Sequence, residues 1–199
     1  MPECGKKENG KMRYQGKEYN RIILVGNSGS GKSWTAERME KITGMPVIYL
    51  DKECWQSGWK YPPKEEWEAK NRDFVTGDSW IIDGNHRETM EMRFQRAELI
   101  LFFDINPVLC MWRVWRRHGR KRTDLAEGME KEEKRDRMFY KLLAYIWTSH
   151  RKRREYIWSL YEKYPSRMIS FRRTGQIREF LEDIEKENNR TTKKENYIP

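Results

Sequence analysis

Residues 26–33 read Gly26-Asn27-Ser28-Gly29-Ser30-Gly31-Lys32-Ser33. They satisfy the pattern G-x-x-x-x-G-K-[ST], and nothing else in the chain restricts its fold as strongly. Glycine reaches backbone angles closed to other residues, so successive N–H groups can turn inward onto phosphate oxygens. A helix that starts there adds its positive N-terminal dipole to the same spot. Lys32 supplies a flexible cation for the β- and γ-phosphates, and the Ser33 hydroxyl is a ligand for magnesium. The expected cofactors are therefore ATP and Mg2+, held by Gly26, Asn27, Ser28, Gly29, Ser30, Gly31, Lys32 and Ser33. Trp34 replaces the small hydroxyl residue common at this point, and stands beside the nucleotide as a stacking or packing group.

The loop lies between a strand and a helix. The apolar run 22–25 reads as a buried strand and 33–43 as a helix, stopped by Gly44 and Pro46. Further strands are expected at 47–50, 80–82, 99–103 and 168–171. Helices are expected at 64–75, 107–117 and 177–186. Phe139, Leu142, Leu143, Ile146, Trp147, Ile157 and Leu160 recur at helical spacing, which predicts one long helix that ends at Pro165. Gly58, Pro62 and Pro63 mark a loop over 56–63. Strands alternating with helices predict an α/β fold: a five-stranded parallel sheet with helices on both faces. Residues 1–20 read as a flexible leader, 21–186 as the folded domain and 187–199 as a disordered tail. In such sheets ligands sit beyond the carboxyl ends of the strands. Three strands end there in aspartate, namely Asp51, Asp83 and Asp104. One such residue is ordinary turn chemistry, but three beside a phosphate loop point to function.

Composition narrows the partners. Charged residues make up 36% of the chain and hydrophobic ones 37%, but 9 Trp, 10 Tyr and 7 Phe mark a folded domain rather than a disordered one. A formal charge of +10 favours anionic partners. No apolar run approaches the roughly 20 residues needed to span a bilayer, and 1–20 lack the apolar stretch of a signal peptide. A cytoplasmic protein without membrane contact is expected. Cys4, Cys54 and Cys110 fit reduced thiols, and the scattered histidines offer no zinc-ligand spacing.

Between 112 and 122 six basic residues, Arg113, Arg116, Arg117, Arg120, Lys121 and Arg122, occur without an acid among them. They repel one another unless they face an anion. Phosphoryl transfer asks a protein mainly for charge neutralisation and in-line positioning, and planar arginine forks match phosphate geometry. The alternative is a solvated basic helix end.

Two motifs resemble the nucleoside monophosphate kinases. Asp83-Gly84-Asn85-His86-Arg87 is similar to their D-G-x-x-R element, which implies that Asp83 holds magnesium through water and that Arg87 grips a phosphate. Arg116-Arg117-His118-Gly119-Arg120 resembles the R-x-x-G-R of the adenylate kinase lid. It implies a short arginine-rich lid over about 113–128, with Arg116 and Arg120 on the transferring phosphate and Arg122 close by. Arg172, just beyond the last strand, is placed with the nucleotide-binding residues. The widest likeness, over roughly 20–185, is to the bacterial DNA topology modulation proteins, also called adenylate-kinase-like or AAA-family ATPases. It is carried by the phosphate loop, Leu50-Asp51, Trp55, Gly58-Trp59, 80–85, Arg93, Ala97-Glu98, 101–104 and 124–128. Where that group reads R-P-D, this chain has Arg122-Thr123-Asp124.

Asp51 is the first choice for a general base or for the group that orients the acceptor. Cys54, Trp55 and Trp59 follow it, either to stack a ring or to pack beneath a loop. Two functions compete. The first is a phosphotransferase that moves the γ-phosphoryl group of Mg-ATP to a small, possibly nucleotide-like acceptor, with Lys32, Asp51, Asp83, Arg87, Arg116 and Arg120 in catalytic roles. The second is an ATP-binding protein that acts on or with DNA. The net charge and the Arg151-Lys152-Arg153-Arg154 run favour it, but no base-reading motif is present, so nucleic-acid binding is expected to be weak and non-specific.

Overall fold

The computed structural model describes residues 10–55, 59–126, 129 and 134–195. Strand β3 (Arg21–Gly26) lies at the centre of a five-stranded sheet of order β4-β5-β3-β6-β7. Its partners are β4 (Val47–Tyr49), β5 (Trp80–Asp83), β6 (Leu99–Phe103) and β7 (Arg167–Phe171), and all the pairings are parallel. Parallel strands buried on both faces read as continuous apolar runs, and all five residues of β6 are buried.

Period-two alternation sorts these strands onto two cores. Ile22, Leu24, Leu99, Leu101 and Phe103 join one, with side chains from α1 (Lys32–Thr43), α5 (Pro107–Arg117), α6 (Arg137–Thr148) and α8 (Thr174–Glu195). Ile23, Val25, Ile82, Ile100 and Phe102 join the other, with α2 (Leu50–Cys54), α3 (Lys64–Thr76), α4 (Arg87–Arg96) and α7 (His150–Lys163). The expected α/β class and five-stranded parallel sheet are what the structure has.

Four expectations are corrected. Residues 12–19 are not a loose leader, because β1 (Met12–Tyr14) and β2 (Lys17–Tyr19) form an antiparallel hairpin. Gln15 (φ 52°) and Gly16 (φ 71°) both have positive φ at its turn, as a primed hairpin turn requires. Met12 is fully buried, and α8 clamps the turn: Glu187 accepts from the Gln15 and Gly16 N–H groups, and Asn188 pairs with both backbone groups of Arg13. For the same reason α8 continues past 186 to Glu195 instead of ending in a tail that starts at 187. The long helix is two, broken at Ser149. A straight helix could not bury Ile146 in one core and Ile157 in the other. Finally, β4 ends at Tyr49, and Asp51 lies in the first turn of the short helix α2, which opens at Leu50. Residues 1–9, Gly58, Gly128 and 196–199, which figured in the leader, loop, lid and tail readings, lie outside the described residues.

Candidate active site

The loop after β3 is built from tight backbone. Gly29 has φ 79°, and a Cβ there would come within 2.4 Å of the Cys110 carbonyl oxygen. Asn85, past the end of β5, holds the loop's first residue from across the sheet. Its amide accepts from the Gly26 N–H (3.0 Å) and donates to the Gly26 carbonyl (2.6 Å). On another side, Arg153 of α7 donates to Asn27 Oδ1 at 2.8 Å, and the Asn27 amide donates to the Ile146 carbonyl at 3.0 Å. Arg113 of α5 reaches the carbonyls of Gly29 and Ser30 and donates to Thr174 Oγ1 at 2.7 Å. The loop is thus preorganised by its neighbours.

A cleft of about 1060 Å³ opens over it. Ser28, Gly29, Gly31, Lys32, Ser33 and Trp34 line its floor, Asp51, Trp55, Tyr61, Asp83, Gly84, Asn85 and His86 one wall, and Arg113, Arg116, Arg117, Arg120 and Asp124 the other. Lys32 is 8% exposed and donates to the Asn27 carbonyl at 3.0 Å. Burial pushes its ammonium pKa down, against the pull of Asp83 and Asp51. Burial pushes the Asp83 carboxyl up to about 6, which Lys32 and the nearby Ser33 hydroxyl only partly offset. Asp83 Oδ1 is buried without a hydrogen-bond partner among the described residues. Such an atom beside a serine hydroxyl fits a cation or its hydration water, and bound phosphate and cation would restore the charges that burial opposes. Among the described residues no three His, Cys, Asp or Glu side chains form a metal site. A divalent ion would therefore draw its ligands from Ser33, Asp83 through water, and nucleotide phosphates.

Asp51 faces His86: Oδ1 lies 3.0 Å from Nε2, while the Tyr61 hydroxyl lies 3.4 Å from Nδ1. Crowding in the cleft raises the Asp51 carboxyl, but the hydrogen bond with His86, with Lys32 and Arg117, outweighs it and holds it below its ordinary value. His86 itself is constrained, with φ 31° and its ring 4.9 Å from that of Trp67. Beneath it Arg93 is 1% exposed and donates to the carbonyls of Gly84 (2.7 Å), Asn85 (2.5 Å) and His86 (2.9 Å), and burial pushes its pKa down to about 9. On the opposite wall Asp124 is buried. It accepts from Ser33 Oγ at 3.3 Å and meets Arg122 at 3.3 Å and Arg117 at 3.9 Å.

Lys32, Ser33, Asp51, Asp83, Arg116 and Arg120 therefore converge, as do Ser28, Gly29, Gly31 and Trp34. Gly26, Asn27 and Ser30 shape the loop from behind. Arg87 does not reach the cleft lining. It is exposed and stacks over Tyr156, 4.4 Å from the ring. Arg172 is likewise exposed off the cleft, with its backbone N–H on Gln176, and Arg122 lies behind the lining, against Asp124. Asp104 is not in the cleft either, being held by Arg154 (3.4 Å) and His150 (3.7 Å). Sequence reasoning missed His86 and Tyr61. One signal could have found His86: β4 pairs with β5 at Tyr49–Asp83, so positions 51 and 86 both lie just past that shared edge.

Among solved structures the chain is similar to a shikimate kinase from Acinetobacter baumannii in complex with shikimate. The TM-score is 0.50 at 14% identity, over 83% of this chain and 90% of that one. The fold is that of the P-loop small kinases. A gluconokinase from Sinorhizobium meliloti 1021 also aligns, at 13% identity and TM-score 0.46, over 89% of this chain and 96% of that one. No protein-family model matches the sequence, and no curated protein matches it either. No helix among the described residues is long and apolar enough to cross a membrane.

Proposed function

We propose that this protein is a phosphotransferase that moves the γ-phosphoryl group of Mg-ATP to a hydroxyl of a small acceptor. The observation that carries the reading is one cleft in which a phosphate loop faces the Arg116 and Arg120 side chains, with Asp51 on the remaining wall. A pure nucleotide-binding module needs no third wall of this kind. The loop amides and Lys32 hold the β- and γ-phosphates, and Arg116 and Arg120 close on the transferring group. Ser33, and Asp83 through water, would hold magnesium, which would supply charge neutralisation on the nucleotide phosphates. Asp51, kept ionised by its surroundings and oriented by His86, accepts the hydroxyl proton. Arg93 braces the 84–86 turn that carries His86.

The shikimate kinase that shares the fold is solved with a small molecule, which is in keeping with a small acceptor here, and membership of the group of bacterial DNA topology modulation proteins is part of the proposal, carried by the motifs of this sequence. A cytoplasmic site of action fits both. The direct test is Lys32→Ala. Removing the loop's one cationic side chain should cost a few kcal/mol of charge-assisted bonding. Calorimetric titration with Mg-ATP should then show affinity reduced on the order of a hundredfold. Affinity within about twofold of the parent contradicts the reading.

A further inference from the structure

The walls of the cleft differ in charge. Its cationic side chains are Lys32, Arg113, Arg116, Arg117 and Arg120, all from the phosphate loop, α5 and the turn after it. Among the described residues the wall of Asp51, Trp55, Tyr61 and His86 contributes no lysine or arginine to the lining. Of the cations around that wall, Lys52 and Lys60 are exposed and lie outside the lining, and three others are committed elsewhere. Arg93 is spent on three backbone carbonyls, Arg87 lies on Tyr156, and Lys70 is bound to Glu53.

The charge balance points the same way. Among the described residues five lysine and arginine side chains and three aspartates line the cleft, a formal surplus of two with His86 counted as neutral. Mg-ATP, with a charge of about −2, cancels it and leaves nothing for a second anion. A carboxylate or phosphate on the acceptor would be desolvated against Asp51 without a cation of its own.

The same wall is aromatic. Trp55 and Tyr61 have ring centroids 5.6 Å apart, Tyr61 packs on Trp67, and Trp67 on His86. Flat apolar faces with one ionised hydrogen-bond acceptor at their base suit a ring whose faces are apolar and whose edge carries hydroxyls. We propose that the acceptor is an uncharged polyhydroxylated ring compound, either a free sugar or the sugar of a nucleoside, laid against Trp55 and Tyr61 with one hydroxyl on Asp51. The proposal rests on the phosphotransferase reading. In the transfer the acceptor oxygen forms the new P–O bond. The bond from γ-phosphorus to the β–γ bridging oxygen breaks, its electron pair leaves on ADP, and the hydroxyl proton passes to Asp51 and then to solvent.

The test is ADP release by the full chain with Mg-ATP in two sets of acceptors: glucose, ribose, adenosine and thymidine, against glucuronate and AMP. Stimulation is expected only in the uncharged set. Trp55→Ala should raise the acceptor KM about tenfold and leave the ATP KM unchanged. Turnover confined to glucuronate or AMP, or equal in both sets, overturns this inference but leaves the phosphotransferase reading intact. No stimulation by any acceptor, with no binding of Mg-ATP, overturns both.

Discussion

Asp83 sits where burial works against its charge. Its carboxyl is pushed from 3.8 up to about 6. A carboxyl whose folded pKa is raised favours the fold fully below its unfolded pKa, and that contribution is lost as pH rises through the folded value. The metal-free protein should therefore be penalised at neutral pH by on the order of 3 kcal/mol at this one residue. Asp83→Asn should stabilise it by about that amount at pH 7.5 and by much less at pH 4.5, while it removes magnesium-dependent turnover. Urea unfolding at the two pH values checks this, and a gain that does not grow with pH contradicts it. On the other side of the cleft, Arg116 and Arg120 are exposed, and Arg116 rests on Trp112, 5.2 Å from the ring. They are free to move onto a phosphoryl group as charge develops. Alanine at either should lower kcat by more than about tenfold with a smaller loss of ATP affinity. Steady-state kinetics beside calorimetry separates the two, and equal losses would mean a static phosphate grip.

Elements set these residues in register. The turn from β5 to α4 carries Asp83, Asn85 and His86, and a buried arginine fixes its shape. Gly84 allows the turn, with φ 138° and room for a Cβ blocked by Leu50 Cβ at 2.8 Å. Arg93→Leu would leave the carbonyls of Gly84, Asn85 and His86 without their donor. It should cost a few kcal/mol of stability and shift kcat through His86 and Asp51. Denaturant unfolding paired with kinetics measures both, and a variant of unchanged stability would show that the arginine is dispensable. At this scale the sequence was legible where apolar runs were unbroken. β6 and α5 lie where the pattern puts them, because each is bounded by strong punctuation: Asp104 after one, Asn106 and Pro107 before the other. α4 was missed because its buried stripe is narrow, with Met90 and Phe94 among charged residues and a buried arginine that reads as surface. The break at Ser149 has no Gly or Pro to announce it, since the two cores impose it. The hairpin and the end of α8 support each other across more than 170 residues, a partnership that local pattern does not encode.

Across the whole molecule, a surplus of ten positive charges on a chain without a base-reading motif was the case for nucleic acid. The structure spends part of it internally. Of the Arg151-Lys152-Arg153-Arg154 run, Arg153 supports Asn27 in the phosphate loop, Arg154 meets Asp104, and Arg151 meets Glu155. The arginines of α5 face the cleft rather than a groove for a polymer. The phosphate loop, its two flanking elements and the arginine-rich segment could be read from sequence because their chemistry is local. The Asp51–His86 pair could not, because sheet order brings together residues 35 positions apart. Transfer to a small molecule is tested by following the γ-phosphorus of labelled Mg-ATP by phosphorus NMR with the acceptor panel. A new phosphate-ester signal should grow in step with ADP and be absent in Lys32→Ala. Label recovered only as inorganic phosphate, at a rate no acceptor changes, would contradict it.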